Sequence, residues 1–188
     1  MEYWLYDRDV LTLLLPDGYP IQDIQEKLIL QRKHESALKF SVQSFLGQLE
    51  LDLHSTFDPS GETSIFNLQN KLAQSYTPYD IPNKGDLSSL HSIFQTNADG
   101  YHMASYRYLW SEVMSADAFH AFQEQNEGLG GGEAHKKTTG RKFRKTILEA
   151  GASLSARESF QNFRGRDADV NALLFYHGLS EEKQSTSE

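Results

Sequence analysis

Residues 100–122 read "GYHMASYRYLWSEVMSADAFHAF", with Tyr101, Tyr106 and Tyr108 crowded ahead of Trp110. On a 3.6-residue period, Tyr101, Ser105, Tyr108, Glu112 and Ser115 share one face. Met103, Tyr106, Trp110, Val113 and Asp117 share roughly the opposite face. The second face is mostly apolar and reads as core, so Tyr106 and Trp110 are expected to pack. The first face is polar and aromatic, and periodicity leaves two readings open. The phenols could form a half-buried surface with packed rings and wet hydroxyls. They could instead line a polar cleft, donating to an oxyanion as it develops.

The helical period extends in both directions. Between Pro20 and Ser55, apolar residues fall at Ile24, Leu28, Leu38, Val42, Phe45, Leu49 and Leu53, at spacings of three, four or their sums. Pro20 suits a first helical turn, where its missing N–H costs nothing. "QRKHES" is a candidate break within this stretch. "TFDPSG" (56–61) reads as a turn, followed by a helix over about 62–76, and "TPYDIPNKGD" (77–86) reads as a loop. Asp86 is a candidate cap for a helix near 87–95. The helix carrying the tyrosines is expected over about 101–125, ending in "NEGLGGGE" with Gly128 as its left-handed stop. Further helices are expected over about 134–150, stopped by Gly151, and from a Ser155 cap through Phe163. The last starts at Asp167 or Asp169 and ends at Gly178. No segment alternates as a strand, so the chain reads as all-α, with a polar tail at 180–188 expected to be disordered.

The 188 residues suffice for an ordinary core, and a net charge of −8 disfavours nucleic acid as a partner. The one dense basic stretch, "KKTTGRKFRK" (136–145), reads as a solvated helix face. With no cysteine, disulfides, thiolate metal sites and a cysteine nucleophile are excluded. No apolar stretch approaches the ~18 residues that span a bilayer, so a membrane is not expected as a partner. No signal peptide is recognisable ahead of "VLTLLL" (10–15).

"HESAL" (34–38) begins like the zinc-protease signature H-E-x-x-H, but Leu38 stands where the second imidazole is needed. His34 and Glu35 therefore read as a solvent-facing pair. The remaining histidines, 54, 91, 102, 120, 135 and 177, share no one-turn spacing, so no metal ligand is assigned. "GLGGGE" follows no strand and precedes no Gly-Lys-Ser/Thr, so it reads as a linker.

The stretch from Gly100 resembles the C-terminal region of the thimet oligopeptidase and oligopeptidase A family of zinc metallopeptidases. Its pattern Y-x-W-x-E-V-x-S-x-D-A-F is met by Tyr108, Trp110, Glu112, Val113, Ser115, Asp117, Ala118 and Phe119. "TGRKFRKTIL" (139–148) and "FRGRDADVNALLFYHGL" (163–179) resemble the family's next two segments, with Ala168 where proline is usual. "YPIQDIQEKLILQRKHESAL" (19–38) and "MEYW" (1–4) extend the likeness upstream more loosely.

The resemblance implies that residues 1–179 are the C-terminal helical part of the catalytic domain of a larger two-lobed, channel-containing peptidase. It also implies that the zinc-binding H-E-x-x-H and the later glutamate ligand lie upstream of Met1. The intact family enzyme would use Zn2+ to hydrolyse short peptides, and this chain alone is expected to bind no metal and to be inactive. Tyr108 aligns with the tyrosine that stabilises the tetrahedral intermediate, and Tyr101 with a substrate-contacting tyrosine after the glycine loop. Thr96 stands where the family has a loop histidine, Ser105 where it has a second channel tyrosine, and Asp99–Gly100 where it has paired glycines. Tyr101, Gly100, Ser105 and Thr96 are thus the expected substrate-binding positions. Expected partners are short peptides and the missing N-terminal part of the same enzyme, in the cytoplasm or an organellar matrix. The second reading is a non-catalytic helical module, derived from such a peptidase, that binds peptides or a protein partner.

Overall fold

The computed structural model describes residues 2–78, 105–124 and 132–180. A 3-10 turn at Glu2–Tyr6 precedes helices α1 (Arg8–Leu14), α2 (Ile21–Lys33), α3 (Ser36–Ser55) and α4 (Ile65–Tyr76). After residue 104 come α5 (Tyr106–Gln123), α6 (Glu133–Phe143), a π-helical turn (Arg144–Leu148) and a 3-10 turn (Gly151–Ser153). Helices α7 (Ala156–Arg164) and α8 (Asn171–Tyr176) complete the described chain, which contains no strand. The all-α expectation holds.

Most helix ends follow local chemistry. The expected break falls at His34–Glu35, where Glu35 takes a left-handed φ of 54°. Pro20 stands one residue before α2 rather than inside its first turn. Asp7, Ser64 and Ser155 accept N-terminal backbone N–H groups of α1, α4 and α7, and Ser155 with Glu158 completes a capping box. Asp169 accepts the Asn171 N–H at 3.0 Å but stands outside α8, whose cap position is Val170. Gly151 and Gly178 take φ of 52° and 69°, the left-handed geometry expected of helix stops. The expected 134–150 helix changes pitch: the Glu149 N–H bonds the Arg144 carbonyl five residues back, at 2.8 Å. Helix α1 was not anticipated. The expected loop beyond Pro78, the helix near 87–95, the Gly128 stop and the tail beyond Ser180 lie outside the described residues.

The chain divides into two compact units, Met1–His34 with Glu112–Glu188, and Glu35–Ser111. In the second unit, α3 and α4 pack together around Phe45, Leu49 and Ala73, with Leu53, Ile65, Phe66 and Leu72 against them. Two expected core residues are displaced from it: Tyr106 and Trp110 are 49% and 53% exposed. For Tyr106 the physical reason lies at Gly47, where an added Cβ would stand 3.4 Å from the Tyr106 Cα. It is the backbone of Tyr106 that packs there, so its ring need not. Val113 and Asp117, farther along the same face, are buried as expected.

The first unit has an aromatic core. Trp4 packs edge-on to Phe119 and Phe122 at 5.1 and 5.3 Å, and Tyr3 stacks on Phe119 at 5.3 Å. Phe143 meets Phe163 at 5.3 Å. The "MEYW" likeness therefore marks packing residues. Helices α6 and the π-turn keep Arg141, Lys142, Arg144 and Lys145 exposed, as expected of a solvated basic face.

Candidate functional site

Tyr108 lies in the first turn of α5, with its side chain about half exposed. Its backbone N–H bonds the Ser105 carbonyl at 3.3 Å, while no described residue partners its hydroxyl. That hydroxyl is a donor presented to whatever approaches. Ser105 in turn is fixed from below: its backbone N–H donates to Glu50 Oε2 at 2.9 Å. A helix leaves its first N–H groups unpaired, and a carboxylate there is favoured by both hydrogen bonding and the helix dipole. Glu50 thus caps α5 from the neighbouring helix α3.

Glu50 is fully buried and directly follows Leu49 of the core. Its Oε1 has no partner among the described residues. Sequence reasoning missed this residue. The one available signal was an acid placed beside the Phe45–Leu49–Leu53 stripe, where a lone charge is costly unless it is paired. Of the expected site residues, Ser105 and Tyr108 are brought together in one turn. Tyr101, Gly100 and Thr96 lie outside the described residues.

The motifs that carried the family resemblance meet elsewhere, around a second buried carboxylate. Asp117 of α5 is wholly buried. Its oxygens accept Arg164 Nε at 3.0 Å, both terminal nitrogens of Arg166 at 2.6 and 2.8 Å, and the Asp169 N–H at 2.8 Å. Gly165, at φ 77°, is the left-handed link that lets the flanking arginines converge on it. Arg164 also bonds both oxygens of Glu124. "D-A-F" and "F-R-G-R" are therefore halves of one clamp. Asp117 spends its acceptors on protein donors, which suits structure rather than chemistry.

The Arg164 hydrogen bonds hold Glu124 below the ordinary carboxylate range, against the opposing effect of burial. A lowered carboxylate stabilises the fold above its unfolded value and loses that contribution as pH falls through its folded value. Glu124→Gln is expected to lower stability at neutral pH by less than about 1 kcal/mol, because the pair is partly screened. The gap between variant and wild type should close below pH 4.5, the ordinary glutamate value. Urea midpoints measured across pH check this; a gap that widens in acid contradicts it.

Among the described residues no three His, Asp or Glu side chains are grouped as a metal ion requires, and the sequence has no H-E-x-x-H. The described residues do not fit a zinc site. Buried His135 is a satisfied core histidine, its Nε2 lying 2.9 Å from the Ala121 carbonyl oxygen. No helix among the described residues is long and apolar enough to cross a membrane.

The chain is 33% identical over 184 residues to the organellar oligopeptidase A, chloroplastic/mitochondrial, of Arabidopsis thaliana, covering 95% of this chain and 22% of the relative. It is 32% identical over 185 residues to a probable cytosolic oligopeptidase A of the same plant, covering 95% and 25%. Oligopeptidase A of Escherichia coli is 28% identical over 183 residues, covering 95% and 26%. The chain thus spans about a quarter of the length of these relatives. The profile of peptidase family M3 matches residues 1–179, and the chain belongs to that family.

Proposed function

We propose that this chain is the substrate-side, C-terminal portion of a zinc oligopeptidase that hydrolyses short peptides. Tyr108 supplies a hydroxyl that binds the peptide and, in the intact enzyme, stabilises the oxyanion of the tetrahedral intermediate. The observation that carries this reading is the half-exposed Tyr108, whose hydroxyl no described residue partners, on a turn pinned by buried Glu50. Family membership supports the reaction class. Metal, activated water and base would come from residues outside this sequence, in the missing N-terminal part of the enzyme. Leu13, Leu14 and Leu30, 85%, 62% and 67% exposed, support a covering partner of that kind.

Metal-assisted hydrolysis needs metal, water, base and oxyanion donor together. A phenol alone supplies the last, worth about 3–4 kcal/mol inside a complete site. The purified chain is therefore expected not to turn over a quenched fluorescent oligopeptide, with or without added zinc. Turnover that a chelator abolishes would overturn this. The second reading is a non-catalytic peptide- or protein-binding module, which the same half-exposed Tyr108 would serve. Light scattering separates the two: a stable monodisperse monomer favours the module, and aggregation relieved by a co-expressed N-terminal portion favours the enzyme part.

A further inference from the structure

A cavity of about 840 Å³ opens in the first unit between the 3-10 turn Glu2–Tyr6, α2, α5 and α8. That volume suits a small organic ligand. Two guanidinium groups line it, that of exposed Arg8 in α1 and that of half-buried Arg32 in the last turn of α2. The Arg32 Cζ lies 4.2 Å from the Tyr6 ring centre, 5.4 Å from that of Tyr176 and 5.7 Å from that of Tyr3. Its Nε is buried and unpartnered, and no described residue gives Arg32 a hydrogen bond or an ion pair. Burial accordingly lowers its affinity for the proton from the ordinary value. A half-buried cation with idle planar donors, walled by aromatic rings, is a site short of an anion.

The acids around the cavity do not fill that role. Asp7 is held by Lys136 at 3.2 Å, with Asp9 at 4.0 Å from the same ammonium, and Glu124 is held by Arg164. Their proximity disfavours a doubly charged phosphate and leaves room for a single negative charge. His120, whose Nδ1 lies 3.4 Å from the Tyr176 hydroxyl, adds a second polar group on the wall. Phe119 and Phe175 complete an apolar lining.

We propose that this cavity binds a monocarboxylate carrying an aromatic or apolar body, its carboxylate forked onto Arg32 and its body against Tyr3, Tyr6 and Phe119. Such a group can come from a peptide C-terminus or from a free small acid. The test is calorimetric titration of the full 188-residue chain with N-acetyl-phenylalanine, its amide, phenylacetate and inorganic phosphate. The acid is expected to bind at least about tenfold more tightly than its amide, the worth of a charge-assisted hydrogen bond. Arg32→Met is expected to remove that preference. Arg32→Lys keeps the charge without the fork, so it should weaken the acid while leaving the circular dichroism unchanged. N-acetyl-phenylalanine binding above phenylacetate supports a peptide C-terminus, and the reverse order supports a free acid. Equal binding of acid and amide, no binding of any carboxylate, tighter binding of phosphate, or unaltered binding by Arg32→Lys would each overturn the proposal.

Discussion

Asp117→Ala is expected to destabilise the chain by about 3–5 kcal/mol, the usual consequence of removing one partner from a buried ionic cluster. The carboxylate is fully buried and collects donors from Arg164, Arg166 and the Asp169 backbone. Removing it leaves those donors facing an emptied space. Arg164 retains Glu124, whereas Arg166 loses every side-chain carboxylate contact it makes among the described residues. Asp117→Asn keeps the volume and part of the hydrogen bonding, so its cost should fall between alanine and wild type. Urea unfolding followed by far-ultraviolet circular dichroism measures both. A loss under about 1 kcal/mol for Asp117→Ala would mean that the clamp behaves like an exposed surface pair.

Leu49→Ala is expected to cost about 2–5 kcal/mol, since it opens a cavity that close-packed neighbours fill only in part. Leu49 has no exposed surface and sits with Phe45 and Ala73 at the centre of the α3–α4 pair. Its neighbour in sequence, Glu50, holds the Ser105 N–H, so loosening this helix should also loosen the turn that presents Tyr108. Leu49→Met conserves volume and should cost under about 1.5 kcal/mol. If both substitutions cost the same small amount, the α3–α4 core is not packed as described.

Much of the helical fold was legible because apolar spacing and caps agree. Ser155, Gly151 and Gly178 each carry a terminus through chemistry local to a few residues. Positions decided by a distant segment were not legible. A helical wheel groups Trp110 with Val113, but it cannot tell which turns of the helix are covered. Glu50 is one more acid on a helix by pattern alone, and only its hydrogen bond from the Ser105 N–H, 55 residues away, marks it out. The "F-R-G-R" segment was recognisable as a resemblance, yet its meaning as a grip on Asp117 appears only when α5 and the segment after α7 are placed together. Along the tyrosine-bearing helix the core face is legible from Val113 onward, but not at Tyr106 and Trp110, and the isolation of the Tyr108 hydroxyl is not legible at all.

On the proposed function, the Tyr108 hydroxyl contacts peptide. The most direct measurement is fluorescence anisotropy of a short labelled peptide titrated with the wild-type chain and with Tyr108→Phe. No described residue partners this hydroxyl, so its removal should leave stability unchanged. Loss of one hydrogen bond to the peptide is expected to weaken binding about three- to tenfold. Equal affinity of the two proteins, or no peptide binding by either, would contradict the account.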